Sequence, residues 1–176
     1  MPEPIRTAEQ ANQLLTRIFG QNQEFQTIET RHGWVAQAIL SPEELEQGMG
    51  LGLGNYVVNK QTGVVTAHRS LPPDMIGEEF DQAIETGQTV QGSQVYPPLH
   101  RIHLLKTFED PQTVQYQVRV TDLGQPNNPE TTELITINKE TLYFHPSGGP
   151  LSEATAWAEM LSRTTGSWPT EETIER

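Results

Sequence analysis

Four glycines alternate with apolar residues at Gly48-Met49-Gly50-Leu51-Gly52-Leu53-Gly54. Runs of this kind can turn backbone N–H groups inward around a phosphate. A phosphate loop, however, leads from a strand directly into a helix whose N-terminus meets the anion. Here the run leads into Tyr56-Val57-Val58, which reads as a strand, so a hairpin loop is expected instead. The five histidines raise the question of a metal. His100 and His103 lie three apart in an extended segment, where side chains point to opposite faces and do not converge on one ion. There is no cysteine, no Gly-x-Ser-x-Gly elbow and no evident carboxylate pair, so neither nucleophilic nor hydrolytic chemistry has support. No catalytic residue, metal site or cofactor is expected, and the chain reads as a binding protein rather than an enzyme.

Charge is the stronger signal. The chain carries 11 Lys and Arg against 23 Asp and Glu, a formal charge of -12. That balance disfavours nucleic acid and anionic membrane as ligands, because both require a cationic surface, and it suits a partner protein with a basic surface. From His32 to Asn59 the acids are Glu43, Glu44 and Glu46, and from Ser70 to His100 they are Asp74, Glu78, Glu79, Asp81 and Glu85; neither segment has a Lys or Arg. Glu78, Glu79, Asp81 and Glu85 avoid the helical stripe Ile76, Phe80, Ala83 and Ile84, and so face solvent or a partner. The candidate partner-binding residues are therefore Glu43, Glu44, Glu46, Glu78, Glu79, Asp81 and Glu85.

The elements that position them can be read from periodicity. Thr7-Ala8-Glu9-Gln10 has the capping-box pattern of a helix start, and Gly20 follows as a stop. Phe25 to Thr30 and Trp34 to Leu40 read as a hairpin, and Tyr56 to Asn59 pairs with Val64 to His68 through Lys60-Gln61-Thr62-Gly63. A helix begins near Asp74 and closes at Gly87. In the second half, Val114, Tyr116, Val118 and Val120 alternate cleanly, a polar loop spans Asp122 to Thr132, Leu134 to Asn138 and Leu142 to His145 form a hairpin, and a helix follows from Ser152 to Arg163.

The two halves align, Asn59-Lys60-Gln61-Thr62 on Asn138-Lys139-Glu140-Thr141 and His68 on His145. The expected architecture is α+β and mainly antiparallel: about eight strands in two four-stranded repeats with three helices, two of them packed on one sheet face. The expected organisation is an N-terminal helix with a first ββββα repeat over 1–87, a linker over 88–98, a second repeat over 99–163 and an irregular tail over 164–176, in one compact unit. The two sheets could pair edge to edge. The N-terminal residues from Met1 lack a signal-peptide pattern and no run is long enough to span a bilayer, so a cytoplasmic monomer or homodimer is expected.

Tyr56-Val57-Val58-Asn59-Lys60-Gln61-Thr62-Gly63-Val64-Val65 resembles small bacterial immunity proteins of the YrhB-like class, with Trp34 on the preceding hairpin. The resemblance covers Ala8 to Glu85 and, in weaker form, Ile102 to Arg163, where Lys139-Glu140-Thr141 lacks the glycine. It implies an antitoxin of a polymorphic toxin or contact-dependent secretion system, which binds and neutralises a cognate toxin domain. The alternative is a small-molecule-binding domain with Trp34, Tyr56, Tyr116 and Tyr143 around a pocket, or a structural dimerisation domain.

Overall fold

A computed structural model describes residues 3–125 and 127–176. Met1 and Pro2, at the start of the segment read for a signal peptide, and Pro126, in the expected polar loop, lie outside the described residues. The chain is a mixed α+β protein that divides into two compact units, Met1–Pro97 and Pro98–Arg176. Each has its own five-stranded antiparallel sheet.

The first unit runs α1 (Ala8–Phe19), β1 (Glu24–Glu29), β2 (Gly33–Ile39), α2 (Pro42–Glu46), β3 (Asn55–Asn59), β4 (Val65–His68), α3 (Pro73–Thr86) and β5 (Ser93–Tyr96). Its strands lie in chain order, β1-β2-β3-β4-β5. The expected capping box forms: Gln10 N–H donates to Thr7 Oγ1 at 3.2 Å, and Thr7 N–H donates to Gln10 Oε1 at 3.2 Å. Helix α1 then buries Ala11, Leu14 and Leu15 against Trp34, Ala36, Val58 and Val65. Helix α3 buries Ile76 and Phe80 against Val35 and Val57, whose side chains alternate to the other face. The sheet is thus covered on both sides, which is why Trp34, Val35 and Ala36 form a continuous apolar run rather than an alternation.

The second unit runs β6 (His100–Glu109), β7 (Thr113–Asp122), β8 (Thr131–Asn138), β9 (Phe144–His145), α4 (Gly149–Thr165) and β10 (Glu171–Glu175), in the order β10-β6-β7-β8-β9. Ile102, Leu104, Val114, Tyr116, Val118, Ile135 and Ile137 pack on one face with Ala154 and Ala158 of α4. On the opposite face Gln115 Nε2 donates to Thr136 Oγ1 at 3.1 Å.

The hairpins of the two units match residue for residue. Asn59 Oδ1 accepts the N–H groups of Gln61 and Thr62, as Asn138 Oδ1 accepts those of Glu140 and Thr141. Lys60 N–H donates to His32 O and Lys139 N–H to Gln112 O. In this register Trp34 and Val58 correspond to Val114 and Ile137, while Val35 and Val57 correspond to Gln115 and Thr136. His145 pairs with Thr136 and therefore matches Thr66, which pairs with Val57, rather than His68 as aligned by sequence.

Several expectations are corrected. Among the described residues there are ten strands and four helices rather than eight and three. The two helices on one sheet face are not found: α1 and α3 cover opposite faces of the first sheet, and α4 covers the face of the second that corresponds to the α1 face. The cause lies in the strands. In the first unit the Val35 and Val57 face is apolar and needs a cover, whereas its counterpart in the second bears Gln115 and Thr136, so α4 settles on the apolar side. The 88–98 segment contributes β5, paired with β4, and the 164–176 tail contributes β10, paired antiparallel with β6. Strand β10 is short and rich in Glu, so its own propensity says little; it is held by β6 and by Arg101 to Glu175 at 2.8 Å.

Candidate functional site

The seven candidate carboxylates divide between two elements of the first unit, Glu43, Glu44 and Glu46 on α2 and Glu78, Glu79, Asp81 and Glu85 on α3. Strand β2, seven residues long, spans about 20 Å. The hairpin turn Thr30 to His32 precedes it, and α2 with the glycine loop follows it. Helix α3, fourteen residues and also about 20 Å long, runs between those ends. Pro72 and Pro73 at its start line an open cavity of about 370 Å³ with Gly50 and Leu53 of the loop, and Glu85 near its end reaches the hairpin turn.

On α3 three of the four acids are consumed by the fold. Asp81 accepts the N–H of Arg31 at 2.9 Å, the N–H of His32 at 2.8 Å and the Thr30 hydroxyl at 3.1 Å. Glu85 pairs with Arg31 and lies 3.3 Å from His32 Nε2, and Glu79 pairs with Arg69. The stripe rule placed these side chains away from the core correctly. It could not see that the flanking turn returns to them across fifty residues of sequence.

At the loop end, Glu44 is taken by local structure: its Oε2 accepts the Ser41 N–H at 2.7 Å, and its own N–H donates to Ser41 Oγ, a second capping box. Glu43 and Glu46 are exposed, as is Glu78 on α3. Among the described residues none of these three carboxylates is in an ion pair or hydrogen bond. Three of the seven candidates are therefore free to meet a partner.

The loop also presents what charge reasoning passed over. Leu45 is 56% exposed, Met49 51% and Leu51 87%. The alternation of glycine with Leu and Met was the available signal, since a loop needs no apolar side chains. Gly48 and Gly52 have φ of +77° and +73°, the left-handed region where glycine is at ease, so the chain bends sharply on both sides of Leu51. Leu45 lies across Gly50, where a side chain would crowd it.

The aromatic residues of the pocket alternative are largely occupied elsewhere. Trp34 is buried beneath α1 with its indole N–H donated to Ile5 O at 3.2 Å, and the Lys60 ammonium lies 4.9 Å from its ring centroid. Tyr56 packs with Phe19 and Phe25. Tyr116 is fully buried and its hydroxyl donates to Pro169 O at 2.8 Å; burial, reinforced by Glu109, pushes its pKa upward. Tyr143 is 71% exposed. Of the histidines, His68 is half-buried beside Thr66 Oγ1 at 2.7 Å and its pKa is lowered by burial, with Glu79 opposing and Arg69 adding to the shift. His103 lies 2.7 Å from Glu171. Among the described residues no three His, Asp or Glu side chains are grouped as metal ligands, and no helix is long and apolar enough to cross a membrane.

Fold and site together define a two-unit α+β protein with a free acidic and apolar loop. No protein-family model matches the chain, nor does any curated protein or solved structure.

Proposed function

We propose that this chain is an immunity protein, acting in the cytoplasm by binding and neutralising a cognate secreted bacterial toxin domain, without catalysis of its own. The observation that carries the reading is a set of exposed, unpaired acids, Glu43 and Glu46 in a stretch from His32 to Asn59 and Glu78 in a stretch from Ser70 to His100, neither of which has a Lys or Arg. Carboxylates that fold stability does not use are available to steer and hold a basic surface. The resemblance of the Tyr56 to Val65 hairpin to YrhB-like immunity proteins names the kind of partner.

The test is co-expression of the chain with the toxin-like domain encoded beside its gene. Growth rescued by the chain, together with a purified one-to-one or two-to-two complex, supports the reading. Toxicity that persists, with no complex, removes it. Charge-neutralised Glu43→Gln, Glu46→Gln and Glu78→Gln chains should rescue less well than Glu133→Gln, which neutralises an exposed acid on β8 of the second unit.

A further inference from the structure

We infer that the end of α2 and the glycine loop form an apolar anchor, in which Leu45, Met49 and Leu51 enter a cleft of the partner that is apolar at its floor and cationic at its rim. This rests on the immunity-protein reading and goes beyond it, because the acids alone specify a charged surface and no point of insertion.

Three large apolar side chains more than half exposed within seven residues are unusual on a surface that has no other use for them. The second unit supplies an internal comparison. Its corresponding loop, between β7 and β8, reads Leu123-Gly124-Gln125-Pro126-Asn127-Asn128-Pro129-Glu130 and is polar after Leu123. It turns by ordinary means, with Asp122 Oδ1 accepting the N–H groups of Gly124 and Gln125 at 2.9 Å. The hairpin architecture therefore does not require Leu or Met at this place.

The flanking charges choose among occupants. Glu43 and Glu46 stand on either side of Leu45, so an anionic bilayer would be repelled by the groups that must approach it. A second copy in a two-fold contact would bring Glu43 and Glu46 toward their own images. A protein cleft with a Lys- and Arg-rich rim satisfies both the apolar side chains and the acids. The cavity lined by Gly50, Leu53, Pro72 and Pro73 beside the loop gives the partner a place for a side chain in return. Such central apolar contacts, ringed by charge, are where binding energy concentrates.

The experiment measures association and dissociation rates of the full chain with the neighbouring toxin-like domain, at about 0.15 M and about 0.5 M salt. Leu51→Ala and Met49→Ala should each weaken binding about tenfold through faster dissociation, at both salt concentrations. Glu43→Gln with Glu46→Gln should mainly slow association, with the effect fading at the higher salt. Unchanged thermal unfolding of all variants secures the comparison, as these side chains lie on the surface. Wild-type binding that Leu51→Ala and Met49→Ala leave intact overturns the anchor and leaves the immunity reading standing. Absence of wild-type binding overturns both. Leu51-dependent binding to phosphatidylglycerol vesicles, or Leu51-dependent self-association, in place of toxin binding also overturns the anchor.

Discussion

The carboxylate of Asp81 accepts the backbone N–H of His32 at 2.8 Å, closing a clasp between α3 and the β1–β2 turn that also includes Arg31 N–H and the Thr30 hydroxyl. Hydrogen bonds to a charged group are each worth about 1.5–3 kcal/mol, and they are not additive within one network. Asp81→Ala should therefore destabilise the first unit by about 2–4 kcal/mol in denaturant unfolding. Glu78→Ala, three residues away and unpaired, should change stability by no more than about 0.5 kcal/mol.

The same clasp disfavours a side chain at Gly77. A β-carbon at Gly77 would collide with the Thr30 methyl, which cannot swing away because the Thr30 hydroxyl donates to Asp81 and accepts the Gly33 N–H. Alanine gains about 1 kcal/mol of helix propensity over glycine, while overpacking of this kind costs about 1–3 kcal/mol. Gly77→Ala should be net destabilising. If the Thr30 contact is what opposes it, Thr30→Ser, which removes the methyl and keeps the hydroxyl, should restore most of the loss in the double variant.

Turn chemistry separates the matched hairpins. Gly63 has φ of +68°, and the equivalent Leu142 adopts +60°, where a side chain costs about 1–2 kcal/mol. Gly63→Ala should lower the stability of the first unit by about 1 kcal/mol. Leu142→Asn should be neutral or stabilising in the second unit, since asparagine tolerates this conformation. Equilibrium unfolding of each variant provides the comparison.

Acidification should act on the two units at different pH. Burial holds His68 below its ordinary 6.5, so the unfolded chain binds that proton more readily than the folded one. The contribution of neutral His68 is complete above pH 6.5 and declines as pH falls below it. In the second unit, the Lys106 and Lys139 ammonium groups, 2.6 and 2.7 Å from Glu109, hold its pKa below 4.5. That contribution is present above pH 4.5 and is lost only as pH falls further. Amide hydrogen exchange between pH 7 and 4 should show β4 and α3 losing protection before β6 and β7, and His68→Gln should abolish the early step.

How much could be read beforehand depended on whether the deciding contact was local. The α1 capping box at Thr7 and Gln10, the Asn59 and Asn138 turns and the alternation of Val114 to Val120 are signals within a few residues, and all were legible. The side of the sheet that α3 takes was not, because it depends on α1 already occupying the Trp34 and Val58 face. Strand β10 escaped for a related reason: Glu171 to Glu175 becomes a strand only against β6. Within the site, Glu43, Glu46 and Glu78 behaved as surface acids should, whereas Asp81 and Glu85 were claimed by a turn some fifty residues upstream. The exposure of Met49 and Leu51 was written in the glycine run, since a loop between two strands offers such side chains no core to enter.

The central claim, a basic toxin held by the free acids of α2 and α3, is tested most directly by charge reversal. The affinity of the purified neighbouring toxin domain is measured for the wild-type chain and for Glu43→Lys, Glu46→Lys and Glu78→Lys combined, by titration calorimetry. The account predicts a loss of about a hundredfold or more near physiological salt, with the wild-type affinity itself falling as salt rises. Equal affinities for the two chains, or a wild-type affinity indifferent to salt, would contradict it.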